Sequence, residues 1–253
     1  MPAFAVGRAQ ELILDLLAVM RDAPELAGDI FLDSPLAIEA TDVFLRRGWN
    51  VEADENPYLE LRHALRLRYL MRPQESDGLE RLRDWHVILA GSGMCDAGRI
   101  RRHLKRLLWR RETTVLITGF QAAGTLGRVL LEGRRFVRIQ GDDVRVNARI
   151  RQMDAYSTHA DAVGLTAWLK AREPVAGKVF LVHGEPDARL GLAARLSAAG
   201  RDEQTIVSPG LDQAYALTAE GGGTPGGRRA PDARRCGKAR LAQRPRRTAR
   251  RHQ

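Results

Sequence analysis

At 253 residues the chain is long enough to bury a full core, as one large domain or two small ones, and its 44% hydrophobic and 28% charged residues are ordinary for a soluble globular protein. Eleven of its 41 Lys and Arg residues lie between Thr218 and Gln253 against only Glu220 and Asp232, which leaves 30 basic and 29 acidic residues on positions 1–217; the net charge of +10 is therefore no argument for a basic patch on the fold itself. Two distant cysteines, Cys95 and Cys236, exclude a disulfide framework or a thiolate metal cluster and suit a reducing cytoplasm, and the longest apolar stretch, Leu12 to Met20, is broken by Asp15 and too short to cross a bilayer.

Apolar residues at Leu12, Leu16 and Val19 and again at Ile13, Leu17 and Met20 predict an amphipathic helix over Ala9 to Arg21. Asp29 to Asp33 reads as a short buried strand, and Ser34-Pro35 starts a helix that runs to Arg47 with Gly48 as its stop. A second helical stretch is expected from Pro57 to Met71, ending at Pro73. Trp85 to Ala90 is a compact apolar strand, Gly91-Ser92-Gly93 a turn, and Ala97 to Arg110 a helix with Ile100, Leu104, Leu107 and Leu108 inward; strand Thr113 to Thr118 follows. This alternation predicts a parallel, helix-covered sheet up to about residue 130. The texture then changes. Phe136 to Ile139 and Val144 to Ile150 alternate apolar and polar residues around the Gly141-Asp142-Asp143 turn, as half-exposed antiparallel strands do. Asp161 can cap a helix over Ala162 to Ala171, Lys178 to Val182 is a buried strand, and Asp187 to Ala199 is a helix stopped by Gly200. Two subdomains with a seam near residue 130 are expected. Beyond Leu217 the glycine-rich run and the arginine-rich segment carry no apolar periodicity, so residues 218–253 are expected to be a disordered basic tail, either a nucleic-acid-binding arm or an extension foreign to the fold.

Two histidines sit where chemistry is usually found. His183, in Leu181-Val182-His183-Gly184-Glu185, directly follows a buried strand, at the carboxyl edge where side chains converge on a ligand crevice. Gly184 lets the backbone turn beside a ligand, Glu185 could fix the imidazole tautomer, and neutral imidazole is a common zinc ligand. His159, in Tyr156-Ser157-Thr158-His159-Ala160-Asp161, stands before a helix whose first free amides suit an anionic group, and an imidazole there can deliver a proton to a leaving oxygen. A lone histidine is more often a satisfied structural group. The Gly91-Ser92-Gly93-Met94-Cys95 loop, at a handover from strand to helix, has a shape that can hold a phosphate but is usually just a tight turn, and Gln121 to Arg128 repeats the theme. Asp33-Ser34-Pro35 is most simply a helix cap. His63, His86, His103 and His252 are assigned no role. A dinucleotide site on Gly91-Ser92-Gly93 is poor, because the third glycine and the later acidic partner of that fingerprint are not in place.

Taken in order, Pro2 to Leu12, Asp33-Ser34-Pro35-Leu36-Ala37, the Gly-Ser-Gly-Met-Cys loop through Arg99, Gln121 to Arg128, Ser157 to Asp161 and Val182 to Glu185 resemble one family over Pro2 to Leu217. It is the β-CASP branch of the metallo-β-lactamase-fold nucleases, relatives of the cleavage and polyadenylation specificity factor nuclease. The resemblance implies an α/β fold: a Rossmann-like β-CASP domain with a parallel sheet over residues 1–130, and the C-terminal portion of a metallo-β-lactamase αββα sandwich over 131–217. It implies an RNA phosphodiesterase that uses two zinc ions, with His183 as a metal ligand, His159 as the catalytic general acid, and Ser157, Thr158, Ser92 and Gly93 facing substrate phosphate.

The family's upstream His-x-His-x-Asp-His cluster is absent, and no His-x-His spacing occurs among the six histidines. Two zinc ions need roughly four ligands each, so the resemblance implies a fragment inactive alone, a truncated gene product or one half of a split nuclease, completed by a metallo-β-lactamase chain. Met1, standing where the family has an aliphatic residue in a running segment, points the same way. An orphan half-sandwich is expected to leave an uncovered sheet face or edge. The competing class is a non-catalytic RNA-binding or scaffold module, and a homodimer stays open. Partners other than RNA and protein, membranes in particular, are not expected.

Overall fold

The computed structural model describes residues 1–47, 56–217 and 223–226, and the chain divides into two compact units, Met1–Thr158 and His159–Gln253. In the first unit, helix α1 (Arg8–Asp22) buries Leu12, Ile13 and Met20, the stripe its periodicity predicts. Strand β1 (Asp29–Asp33) follows, then α2 (Pro35–Arg47); the expected stop at Gly48 lies outside the described residues. A short helix α3 (Glu60–His63) leads into strand β2 (Leu67–Tyr69), and β3 (His86–Ala90) completes a three-stranded parallel sheet of order β2-β1-β3. Its registers are Ile30↔Leu67 and Ile30↔Val87, so β1 is central and its apolar residues Ile30, Phe31 and Leu32 are buried. Residues 1–3 run alongside β3, with Pro2 bridging Ala90.

The continuous helix expected from Pro57 to Met71 does not form. Its first half is helical, but Leu67–Tyr69 is a strand, because the free edge of β1 offers Leu67 a ladder and a core position that outweigh its local helical preference.

Helix α4 (Ile100–Leu107) buries Ile100 and Leu104, strand β4 (Thr114–Ile117) buries Val115 and Ile117, and α5 (Leu126–Leu131) is capped by Thr125 Oγ1 accepting from Arg128 N. Strands β5 (Phe136–Ile139) and β6 (Asp142–Arg145) make the expected antiparallel hairpin. Val144 to Ile150 is not one strand, however. It breaks after Arg145, and β7 (Arg149–Gln152) pairs in parallel with β4, Val115 facing Ile150. Val137, Ile139, Val144 and Ala148 consequently share one core with Val115, Ile117, Leu104 and Leu108. The compact unit accordingly extends past residue 130, to Thr158.

The second unit is smaller and thinner. Helix α6 (Ala162–Lys170) is capped by Asp161, whose Oδ1 accepts from Gly164 N at 2.7 Å. Strand β8 (Val179–Phe180) pairs in parallel with β9 (Ile206–Val207), and α7 (Pro186–Ala198) lies between them in sequence. Gly200, at φ +97°, ends that helix in the left-handed conformation. Its buried core is Leu169, Leu181 and Leu196, with Val179, Leu192 and Ile206 half-buried around them. Strands β10 (Ala214–Leu217) and β11 (Gly223–Gly226) pair antiparallel. Residues 223–226 thus form a ladder inside the segment expected to be without order: backbone pairing needs no apolar periodicity, and Pro225 is tolerated on an edge strand. The rest of the expected tail, 218–222 and 227–253, lies outside the described residues. No helix among the described residues is long and apolar enough to cross a membrane.

Candidate functional site

The carboxyl end of β3 opens into the Gly91–Gly98 loop, which closes on itself. Ser92 N donates to Ala97 O at 3.1 Å, Ser92 Oγ accepts from Ala97 N at 3.2 Å, and Ile100 N donates to Gly91 O at 3.0 Å. Ser92 is half-buried and Gly93 buried. The Ser92 hydroxyl therefore serves the loop's own closure, with its proton still available. Gly98 has φ +71°, and a Cβ there would stand 2.3 Å from Gly91 O, so the closure requires glycine. The Gln121–Arg128 run joins this loop: Asp96 Oδ1 accepts from Leu126 N at 2.8 Å, and Gly127 N donates to Met94 O at 3.2 Å.

Near the loop lies a buried group centred on Asp33, which its sequence pattern placed only in a helix cap. Asp33, fully buried, accepts from Ser76 Oγ at 2.8 Å and Arg99 Nη1 at 2.5 Å, and its second oxygen meets His103 Nε2 at 2.6 Å. Burial by itself would push the Asp33 carboxyl up, but the hydrogen bonds from His103, Arg99 and Ser76 outweigh it and hold the group below the ordinary carboxylate value. Asp33 is therefore not the cap of α2; Ser34 Oγ takes that part, accepting from Ala37 N at 3.4 Å. One cue was present in the sequence: an ionisable residue closing a wholly apolar strand needs a partner.

Ser157 and Thr158 are exposed and border a pocket of about 330 Å³ with Arg8, Glu11, Asp15 and Tyr156. Arg8, largely buried, donates to the Tyr156 carbonyl, stands 5.1 Å from its ring centroid and pairs with Glu11 at 3.0 Å. Tyr156 OH donates to Asp15 Oδ2 at 2.5 Å. Burial, then that bond, push the Tyr156 phenol up to about 12, so it stays protonated and its hydroxyl is committed to Asp15. The start of α1 thus clamps the backbone immediately before Ser157, across some 140 residues of sequence. The expected phosphate-facing pair is held in place by Arg8 and Asp15, neither of which the motif reading singled out.

In the second unit His159 and His183 come together, their rings nearly parallel at 4° with centroids 6.3 Å apart, both exposed. His159 precedes the capped start of α6. His183 stands three residues beyond the end of β8 and not directly after it, because only Val179–Phe180 pair with β9. Gly184 turns the chain at φ +109°, and Glu185 occupies the N-cap position of α7. Two imidazoles side by side can share an anion or begin a metal site. Among the described residues no group of three or more His, Cys, Asp or Glu side chains is gathered to hold a metal ion. The pair therefore does not fit a two-zinc centre by itself, since each zinc takes roughly four ligands.

Comparison with known proteins decides what these loops are. Residues 9–130 match the model of the β-CASP domain, and residues 143–209 match that of the Zn-dependent metallo-hydrolase RNA specificity domain. The chain belongs to the β-CASP family. A ribonuclease of Thermus thermophilus, TTHA0252, is 33% identical over 79% of this chain and 46% of its own length. Transcription termination factor FttA of Cenarchaeum symbiosum is 29% identical over 77% of this chain and 32% of the relative. An RNase J-like protein of Methanocaldococcus jannaschii is 29% identical over 76% and 44%. This β-CASP chain thus spans less than half of the length of these relatives, from 32% to 46%. The α/β fold with parallel sheets is as the family resemblance implied, and His159 and His183 both fall within the RNA specificity match.

Proposed function

We propose that this chain is the RNA-holding part of a zinc-dependent ribonuclease. The single observation that carries the reading is the facing pair His159 and His183 inside the stretch similar to a metallo-hydrolase RNA specificity domain. In this reading His183 is one metal ligand, His159 is the proton donor to the leaving oxygen, and Ser157, Thr158, Ser92 and Gly93 face the phosphate backbone. The β-CASP domain occupies residues 1–130, the end of the metallo-β-lactamase portion 131–217, and the basic tail 218–253. The remaining metal donors belong to a metallo-β-lactamase portion that residues 1–253 do not contain, so these residues alone do not hydrolyse RNA. The protein works in the cytoplasm.

The test is cleavage of a labelled single-stranded RNA. The isolated chain should bind it without cutting, and addition of a metallo-β-lactamase polypeptide carrying the His-x-His-x-Asp-His cluster should restore chelator-sensitive cleavage that His183→Ala and His159→Ala abolish. Chelator-sensitive cleavage by the chain alone would show that it needs no complement. The alternative, a non-catalytic RNA-binding module working through its tail, is supported by the eleven basic residues beyond Thr218. It predicts binding that falls steeply with salt and is lost when residues 218–253 are removed.

A further inference from the structure

Two exposed phenyl rings flank the Gly91–Gly98 loop. Residues 1–3 run beside β3, with Ala3 N donating to Ala90 O at 3.1 Å, so Phe4 emerges where β3 ends. Phe120 emerges past the end of β4, after Gly119. Phe4 is 48% exposed and Phe120 62%. The Phe4 ring rests on glycine: a Cβ at Gly93 would lie 2.8 Å from its Cδ2 and Cε2, and one at Gly119 would lie 3.9 Å from its Cε2. Glycine at 93 is what admits the ring against the backbone, whereas a Cβ at Gly119 would make only ordinary contact with it.

Gln121 holds the two rings' supports together. Its buried Nε2 donates to Gly93 O at 2.9 Å, Phe120 O at 3.0 Å and Gly119 O at 3.1 Å. The ends of both strands are thereby fixed relative to each other before any ligand arrives. The amide of Phe120, an exposed residue, makes no hydrogen bond to another described residue. Flat rings and a free amide at the carboxyl edge of parallel strands match the two halves of a nucleotide: a base that stacks and a phosphate that accepts.

We propose that Phe4 and Phe120 form a base-stacking platform for single-stranded RNA, their supports tied together by Gln121, with the Phe120 amide meeting an adjoining phosphate. The proposal rests on the RNA reading above and adds to it the residues that grip the base. A duplex, whose bases are already stacked, does not fit this platform.

The experiment is fluorescence anisotropy on the full chain at about 0.3 M salt, where the basic tail contributes little. Two probes are compared, a labelled oligoadenosine and an abasic ribose-phosphate oligomer of the same length. Phe4→Ala and Phe120→Ala should each weaken oligoadenosine binding roughly tenfold or more and leave the abasic oligomer unchanged, while Phe4→Trp keeps the wild-type affinity. Thermal melts of the variants verify that the fold is intact, and Phe120→Ala, at a ring with little packing to lose, guards against a folding artefact at Phe4. Wild-type affinity in both alanine variants, equal losses for the two probes, or a change in self-association without a change in RNA affinity would each overturn the platform while leaving RNA binding standing. Failure of the unmodified chain to bind either probe would instead remove the RNA reading, and the platform with it.

Discussion

The first unit is built around two substantial cores, one under α1, β1 and α2 and one under α4, β4 and the β5–β6 hairpin, whereas among its described residues the second gathers only Leu169, Leu181 and Leu196 as buried apolar residues. The candidate site residues fall on both. Ser92 and Gly93 stand on a deeply supported loop, and His159 and His183 stand exposed on the thin unit. A thin core stores little free energy against local opening, so the first unit should behave as the rigid holder and the second as the part that opens first.

The largest test of that contrast is Asp33→Ala. It leaves Arg99 and His103 facing an emptied, buried position and should destabilise the first unit by about 3 to 5 kcal/mol, read as a shift in its denaturant midpoint; a loss under 1 kcal/mol would mean that the buried quartet is dispensable. Core truncations come next. Ile117→Ala in the first unit and Leu196→Ala in the second should each cost about 2 to 5 kcal/mol. Only the second should make residues 159–217 sensitive to limited proteolysis under native conditions, since Leu196 is the most buried of the three residues in that described core.

Acid should discriminate the units as well. The Asp33 carboxyl is held below its unfolded value, so its contribution is fully present above that value and is lost as pH falls through the lower folded one. Unfolding of the first unit should therefore steepen below about pH 4, and Asp33→Asn should flatten that dependence. Loss of the α6 cap by Asp161→Ala should cost about 1 kcal/mol, visible in hydrogen exchange over Ala162–Lys170. The smallest effects belong to the site itself. His159→Ala and His183→Ala remove exposed rings and should change thermal stability by no more than about 0.5 kcal/mol, so that any functional loss in them reports on chemistry.

What was legible in the sequence was what depends on near neighbours. The stripe of α1, the apolar run Asp29–Asp33 and the Asp161 cap are local patterns, and the structure places each where its pattern predicts. Leu67–Tyr69 was not legible as a strand, because what makes it one is the edge of β1, 37 residues earlier in register. Strand β7 was misjudged for the same reason: alternation of apolar and polar residues says nothing about which partner a strand takes, and β4 lies beyond any local window. Asp33-Ser34-Pro35 read as a helix cap, and Ser34 is one, but the partners of Asp33, namely Ser76, Arg99 and His103, are 43, 66 and 70 residues away. The motifs carrying His159 and His183 were readable one at a time; that their rings face each other depends on the pairing of β8 with β9, which is set by tertiary structure.

Gly98 has a bearing on how mutational surveys of this molecule are interpreted. Any side chain there collides with the Gly91 carbonyl, 2.3 Å from the added carbon. Alanine at this position would splay the turn beneath Phe4 and score as severely in an RNA-affinity screen as the loss of a contact residue, although it meets no nucleotide. Pairing every affinity value with a protease-resistance value would separate such hinges from true fingertips, and would keep a purely architectural glycine from being counted as part of the grip.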